Sequence, residues 1–226
     1  MAVKIHRRRR VKNRAPLTEE RALHRSGHNF VGGVDEVGRG PLAGPVVAGV
    51  VVLSSGSQGS WMTSIRDSKA MTVIQREAAY HRIHKNAMAI AIGIVSPEEI
   101  DGIGISPATF LAMQRALSLL PIQPEFLLVD AFEIPGITIP QKPIVKGDSK
   151  SLSIAAASVV AKVERDQMMR DFDQQYPEYG FRENKGYGSA AHLDALKRLG
   201  PCPIHRYSFA PVRDRGYTRN LQWPVQ

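Results

Sequence analysis

The stretch that most constrains this chain is Val31-Gly-Gly-Val-Asp-Glu-Val-Gly-Arg-Gly-Pro-Leu-Ala-Gly-Pro45, followed directly by a valine-rich run from Val46 to Leu53. The apolar lead-in from Phe30 to Val34 and the run after Pro45 read as two strands, with a glycine- and proline-rich tight turn between them. Glycine at 38 and 40 permits positive φ and lets another backbone or a ligand come close. Two adjacent carboxylates, Asp35 and Glu36, sit at the end of the first strand. Burying unpaired carboxylates is costly, so something must compensate them, and a divalent cation suits such oxygen donors. Successive side chains on a regular strand point to opposite faces. Both acids can reach one ion only if the strand ends or bulges there, and Val37-Gly38 is expected to end it.

Composition narrows the class. A single cysteine, Cys202, excludes an internal disulfide framework and a cysteine zinc cluster, and suits a reducing, cytoplasmic setting. Seven of the nine net positive charges lie before residue 17, as Lys4, Arg7, Arg8, Arg9, Arg10, Lys12 and Arg14 with no acid among them. The basicity therefore belongs to a leader and not to the fold, and it suits a tether to nucleic acid. No apolar segment follows this start, so a signal peptide is not expected. The uncharged stretch Gly40 to Ile65 is interrupted by Pro45, Gly49 and a Ser/Gly run and does not read as a membrane span. The expected organisation is a basic leader (1–29), a catalytic domain (30–212) and a tail (213–226), and a monomer is expected.

Taken in order, Thr18 to His24 reads as a short helix. Thr72 is a helix N-cap, and the helix 73–87 is expected to use Ile74, Ala78, Ile83 and Ala87 among its apolar positions. Residues 87–95 read as a buried strand. Ser96-Pro-Glu-Glu99 and Ser106-Pro107 carry helix-start chemistry. Glu125 to Asp130 is a short apolar strand ending on an acid. The proline-broken segment 137–145 reads as a loop or hairpin with short extended pieces. Ser151 to Tyr176 is the longest helix, with small residues at 155–158 for close packing on a sheet. Residues 177–188 form a loop, and 190–199 a helix closed by Gly200-Pro201. This mixture predicts an α/β or α+β domain with a partly parallel sheet.

The acids that could converge are Asp35 and Glu36 at one strand end, Asp130 at another, and Asp148 before the long helix. Magnesium and manganese prefer such oxygen ligands, and two ions held this way promote phosphodiester cleavage. The histidines at 24, 28, 81, 84, 192 and 205 show no zinc-ligand spacing. His81 and His84 are expected on a solvated helix face.

The segments V-D-E-V-G-R-G-P-L-A-G-P-V (34–46), D-S-K (67–69), L-L-V-D-A (127–131), K-G-D-S-K-S-L-S-I-A-A-A-S-V-V-A-K-V-E-R-D (146–166), Y-G-F (179–181), N-K-G-Y-G (184–188) and H-R-Y-S-F-A-P-V (205–212) together resemble the bacterial ribonuclease HII family. They span 30–212 in order, which is far more specific than a lone motif. Tyr207 departs from the arginine common at that place.

The resemblance implies a ribonuclease H-like α/β fold, a five-stranded mixed sheet flanked by helices with a helical C-terminal portion. It implies metal-dependent endonucleolytic cleavage of RNA in RNA–DNA hybrids and at single ribonucleotides in duplex DNA, leaving 3′-hydroxyl and 5′-phosphate ends, with Mg²⁺ or Mn²⁺ as cofactor. It implies Asp35, Glu36, Asp130 and Asp148 as metal-binding carboxylates. Gly38, Arg39 and Gly40 would read the ribose 2′-hydroxyl, and Tyr187 would pack on the following sugar. The 2′-hydroxyl is what separates RNA from DNA. Lys69, Lys146, Lys150 and Lys185 are candidates for phosphate contacts.

Three other readings compete. A different nuclease or integrase of the same superfamily would lack a use for the Gly-Arg-Gly turn and Tyr187. A type 3 ribonuclease H would carry a sizeable N-terminal domain, for which the residues before Phe30 are too few. A non-catalytic nucleic-acid-binding module would keep the acids for structure alone. Asp166 also lies in the long matching block. On an unbroken helix it sits roughly 22 Å along the axis from its start, too far to join Asp148, and Lys162 and Arg170 suggest a surface ion pair for it.

Overall fold

Five stretches with strand chemistry pair into one mixed sheet in the computed structural model, which describes residues 14–217. Most of the arginine-rich leader and the end of the C-terminal tail lie outside the described residues. Strands β1 (Phe30–Val37), β2 (Val46–Ser54), β3 (Ala89–Val95), β4 (Phe126–Asp130) and β5 (Gln141–Ile144) stand in the order β3-β2-β1-β4-β5. β1 and β2 are antiparallel, as are β2 and β3, while β4 runs parallel to β1 and β5 parallel to β4.

The strand expectations are met in part. β1 ends at Val37 as expected, but Asp35↔Gly49, Glu36↔Ala48 and Val37↔Val47 keep a regular register up to that end, so there is no bulge at the acids. β3 starts at Ala89 and is an edge strand, with three of its seven residues not fully buried. Segment 137–145 holds one short extended piece, as expected, but no hairpin: Gln141–Ile144 pairs parallel with β4, and Pro143 is tolerated because β5 is an edge.

Helices cover both faces of the sheet. α1 (Thr18–Arg25) precedes β1. α3 (Pro97–Ile103) opens with a Ser96/Glu99 capping box and leads into α4 (Ile105–Ser118), which packs on one face through Ala108, Ala112, Met113 and Ala116. α2 (Val73–Asn86), capped by Thr72, and α5 (Leu152–Gln175) cover the other. The inward face of α2 is the expected one at Ile83 and Ala87 but not in its first half. Ile74 and Ala78 are exposed, and Ala79 and Ile83 carry the packing. Among the described residues no helix is long and apolar enough to cross a membrane.

α5 is the element that orders the rest. Its small residues permit contact with the sheet at main-chain distance. A Cβ on Gly33 would come within 2.0 Å of the Ser153 carbonyl carbon, and one on Gly49 within 2.6 Å of the Ala157 oxygen. Its N-terminus is held by Glu20 of α1, a fully buried carboxylate that accepts from the Ser153 amide and from the Ser151 and Ser153 hydroxyls. An anion at a helix N-terminus is favourable, which accounts for an acid in the core. Beyond α5, the short α6 (Phe181–Asn184), α7 (Ala190–Leu199) and α8 (Ala210–Arg213) form the helical C-terminal portion around Met169, Tyr179, Phe181, Cys202 and Ile204.

Candidate active site

The register of the sheet brings the acids together. Val34 pairs with Val129 across the parallel β1–β4 boundary, so the next residues, Asp35 and Asp130, lie beside one another on the face covered by α5. Glu36 lies on the opposite face. It approaches Asp130 where β4 stops, and the Asp130 charge acts on it. Asp148 arrives from a short 3₁₀ turn after β5, hung there by the Gly147 amide, which donates to Asp130 Oδ1 at 2.7 Å. The structure thus groups all four acids singled out in the sequence.

Their electrostatics are those of crowded anions. Burial, then the charges of Glu36 and Asp130, push the Asp35 carboxyl well above the usual range. Burial also raises Glu36, against the pull of Arg39, whose Nη1 stands 3.8 Å away. Asp148 is raised by burial and by Asp67. Each acid leans on a local donor. Asp35 Oδ1 accepts from the Glu36 amide at 2.7 Å, and its carboxylate also accepts from Ser158 of α5. Asp148 faces Lys69 Nζ at 3.8 Å. Among the described residues no three acidic, histidine or cysteine side chains are closed around one point in metal-ligating geometry. The donor set is entirely oxygen, which is the chemistry of hard divalent cations and not of zinc.

An open cleft in front of the acids is lined by Asp67, Lys69, Asp130, Lys146, Asp148 and Ser149. Burial alone would lower Lys69, but Asp35, Asp148, Asp67 and Asp130 outweigh it and raise its pKa. Lys146 lines the same cleft. Lys185 lies apart, on the loop before Tyr187, and Lys150 is exposed just before α5. The left-handed non-glycine residues Ala131, Lys146 and Lys185 each adjoin one of these segments. Such backbone is costly and persists where the surroundings enforce it.

The Gly-Arg-Gly turn divides into two roles. Gly38 has φ +94°, and a Cβ there would meet Arg165 Nε at 2.3 Å and the Pro45 oxygen at 2.7 Å. Its glycine is required by the protein's own interior. Gly40 does not use the positive φ open to it, and a Cβ there would meet only Tyr187 Cε1, at 3.6 Å. Its outer side is open. Tyr187 is half exposed beside it, so it does not serve as a cover for the core.

Sequence reasoning missed what stands behind Tyr187. His192 and His205, both fully buried, meet at 3.0 Å between their Nε2 atoms. The Cys202 amide can only donate, and it does so to His205 Nδ1 at 3.0 Å. The proton of His205 is thereby assigned to Nε2, and that of His192 to Nδ1, which donates to the Tyr187 carbonyl at 2.8 Å. Thirteen residues separate the two rings in sequence, and no ligand-like spacing flags them. Burial and the neighbouring His192 push His205 down from 6.5 to about 4, and burial also lowers His192. A folded-state pKa below the unfolded one gives stability that is present above pH 6.5 and lost as pH falls toward 4. The melting temperature of the protein is therefore expected to fall between pH 7 and pH 5, and a His205→Gln variant to show a flatter profile. Parallel profiles would remove the histidine pair as the cause.

Asp166 is not on the surface. It is 5% exposed and pairs with Lys162 Nζ at 2.5 Å and Arg76 Nη2 at 3.7 Å, whereas Arg170 turns to Glu77. Arg76 in turn donates to the carbonyls of Ser68 and Met71. Asp166 thus ties α5 to the segment that carries Lys69, and it does not join the four acids.

Comparison with known proteins places the chain in a family and a fold. Residues 32–212 match the family model described as Ribonuclease HII. The chain is 50% identical over 201 residues to a ribonuclease HII of Desulfitobacterium hafniense strain Y51, covering 89% of this chain and 76% of that protein. Among solved structures it resembles the ribonuclease H2 of Pyrococcus horikoshii OT3, with a TM-score of 0.70 and 30% identity over 82% of this chain and 96% of the other. The fold also matches Bst-RNase HIII in complex with Mn²⁺, with a TM-score of 0.68 at 17% identity over 85% of this chain and 70% of that one.

Proposed function

The chain belongs to the ribonuclease HII family, and from that premise we propose that Asp35, Glu36, Asp130 and Asp148 hold divalent metal for cleavage at ribonucleotides, including single ones embedded in duplex DNA. The protein is a ribonuclease H endonuclease. The observation that carries the finer reading is the register that sets Asp35 beside Asp130, with Asp148 hung on the same carboxylate through Gly147. Asp35, Glu36 and Asp148, each raised by burial and by the charge of Asp130 among others, form with Asp130 an all-oxygen site in need of positive charge, and Mg²⁺ or Mn²⁺ fits it. The relative of known structure bound to Mn²⁺ supports the same chemistry.

When bound, such ions activate water and stabilise the leaving oxygen. The chain's own residues do the rest. Asp35 and Asp130 are fixed by main-chain amides and strand register, so little reorganisation is needed on binding. Lys69 and Lys146 supply positive charge to the phosphates at the cleft. Gly38, Arg39 and Gly40 form the turn that faces the ribose, and Tyr187 packs a flat ring on the next sugar. The products carry 3′-hydroxyl and 5′-phosphate ends.

A duplex with one embedded ribonucleotide tests the reading directly. Cleavage should occur at that position with Mg²⁺ or Mn²⁺ and stop on chelation. Tyr187→Ala should reduce it by about 10²-fold through loss of positioning, with a Tm change under about 2 °C because the ring is half exposed. Wild-type kinetics from a folded Tyr187→Ala protein would remove Tyr187 from the site.

A further inference from the structure

Among the described residues the two largest fully buried side chains are both arginines, Arg165 of α5 and Arg206 before α8. Neither has an ion-paired carboxylate among the described residues; all their hydrogen bonds go to main-chain carbonyls. Arg165 donates to Pro45 O at 2.9 Å, Lys185 O at 3.0 Å and Ala43 O at 3.1 Å. Arg206 donates to Gly38 O at 2.5 Å, Arg39 O at 2.9 Å and Gly44 O at 2.8 Å and 3.0 Å. Burial pushes Arg165 down to about 10 and, with the nearby Arg165 charge, Arg206 to about 9. Two cations sharing one interior pocket are expensive to desolvate, and only charge-assisted bonds to carbonyls offset that.

We propose that Arg206 and Arg165 are positioning residues that pull the carbonyls of the Gly-Arg-Gly turn and of the Tyr187 loop inward, and so set the outward amides of Arg39 and Gly40 beside Tyr187 as one rigid ribose-reading edge. A trans peptide points its C=O and N–H in opposite directions. With the Gly38 and Arg39 oxygens turned in to Arg206, the amides of Arg39 and Gly40 face out. Neither amide donates to another group among the described residues, which leaves two donors for a substrate oxygen. Arg165 bridges the turn to the second loop, because its Lys185 contact lies two residues before Tyr187 and its Nε fills the place a Gly38 side chain would take. This rests on the reading that the turn and Tyr187 face the ribonucleotide.

The test is binding in Ca²⁺ of two duplexes that differ by a single 2′-hydroxyl, with wild type, Arg206→Lys and Arg165→Lys, each assayed well below its melting temperature. Lysine keeps the charge but cannot bridge several carbonyls. The preference for the ribonucleotide duplex should fall by about tenfold or more in each variant, while affinity for the all-DNA duplex changes less than about twofold. Leu117→Ala, a core change on the other face of the sheet, should lower Tm and leave the preference intact. Amide hydrogen exchange on the wild type adds a measurement that needs no variant. Arg39 and Gly40 should gain protection with the ribonucleotide duplex and not with its all-DNA counterpart. Equal protection by both duplexes, an unchanged preference in the lysine variants, or an equal loss in Leu117→Ala would overturn the proposal. A wild-type protein with no preference at all would instead refute the ribonucleotide reading beneath it.

Discussion

Replacing Asp35 by asparagine is expected to abolish cleavage while raising thermal stability in metal-free buffer. Both effects come from one side chain. Asp35 is 4% exposed, beside Asp130 and Glu36, and its pKa is raised well above the ordinary 3.8 by burial and by those two charges. Folding holds the proton more tightly than the unfolded chain does. A contribution to stability is thus fully present below pH 3.8 and lost as pH rises through the folded-state value. At neutral pH keeping this carboxyl buried among other anions is a net cost that asparagine removes. Tm should rise by about 2–4 °C, the response to about 1 kcal/mol in a domain of this size. The gain should vanish toward pH 4. Activity should fall by at least about 10³-fold, or about 4 kcal/mol of transition-state stabilisation, because the neutral amide cannot hold a divalent cation as a carboxylate does. Adding Mn²⁺ should raise the Tm of the wild type more than that of Asp35→Asn, since only a ligand bound by the native state stabilises it. A variant that cleaves at near wild-type rate, or one that loses stability at pH 7, would remove Asp35 from this role.

How much of this was legible in the sequence depends on the kind of signal. Uninterrupted valine runs and strand-end acids located β1, β2 and β4, and helix caps at Thr72 and Ser96 located two helix starts. The parallel pairing of β5 was hidden because Pro143 and an exposed edge give it no apolar pattern. The inward face of the first half of α2 was misplaced because Arg76, a charged residue, occupies a half-buried position that periodicity assigns to apolar side chains. Among the acids, chemistry and chain order were enough to collect Asp35, Glu36, Asp130 and Asp148, but not to show how Glu36 reaches the others round the end of β4. Arg165, Arg206, Glu20 and the His192–His205 pair were missed for a common reason. Each is a polar group whose partners are main-chain atoms or residues far along the chain, and only the tertiary fold brings these within reach. The glycine of Gly38 is the exception that could have pointed to Arg165, as a position where something bulky must come close.

Asp148 and Asp166 lie in one contiguous matching block, and substitution of each by asparagine is expected to give opposite phenotypes. Asp148 lines the cleft with Lys69 and Asp130, and its pKa is raised by burial and Asp67. Asn at 148 removes a crowded anion, so it should leave the fold intact while lowering cleavage by about 10²-fold or more through loss of a metal-binding carboxylate. Asp166 accepts from Lys162 and faces Arg76, both largely buried. Asn at 166 strands those two cations, at a cost of about 2 kcal/mol, or about 4–8 °C in Tm. Its path to the chemistry is indirect, through Arg76 and the Ser68 and Met71 carbonyls to the Lys69 segment. Cleavage by folded Asp166→Asn should therefore stay within about fivefold of wild type. Single-turnover rates at saturating substrate, paired with melting curves of the same preparations, separate the two. If Asp166→Asn lost more activity than Asp148→Asn at a temperature where both are folded, the fourth carboxylate would have to be reassigned. The distance along α5 and the engagement of both Asp166 oxygens by cations weigh against that outcome, because a carboxylate already neutralised in this way has little left to offer an ion.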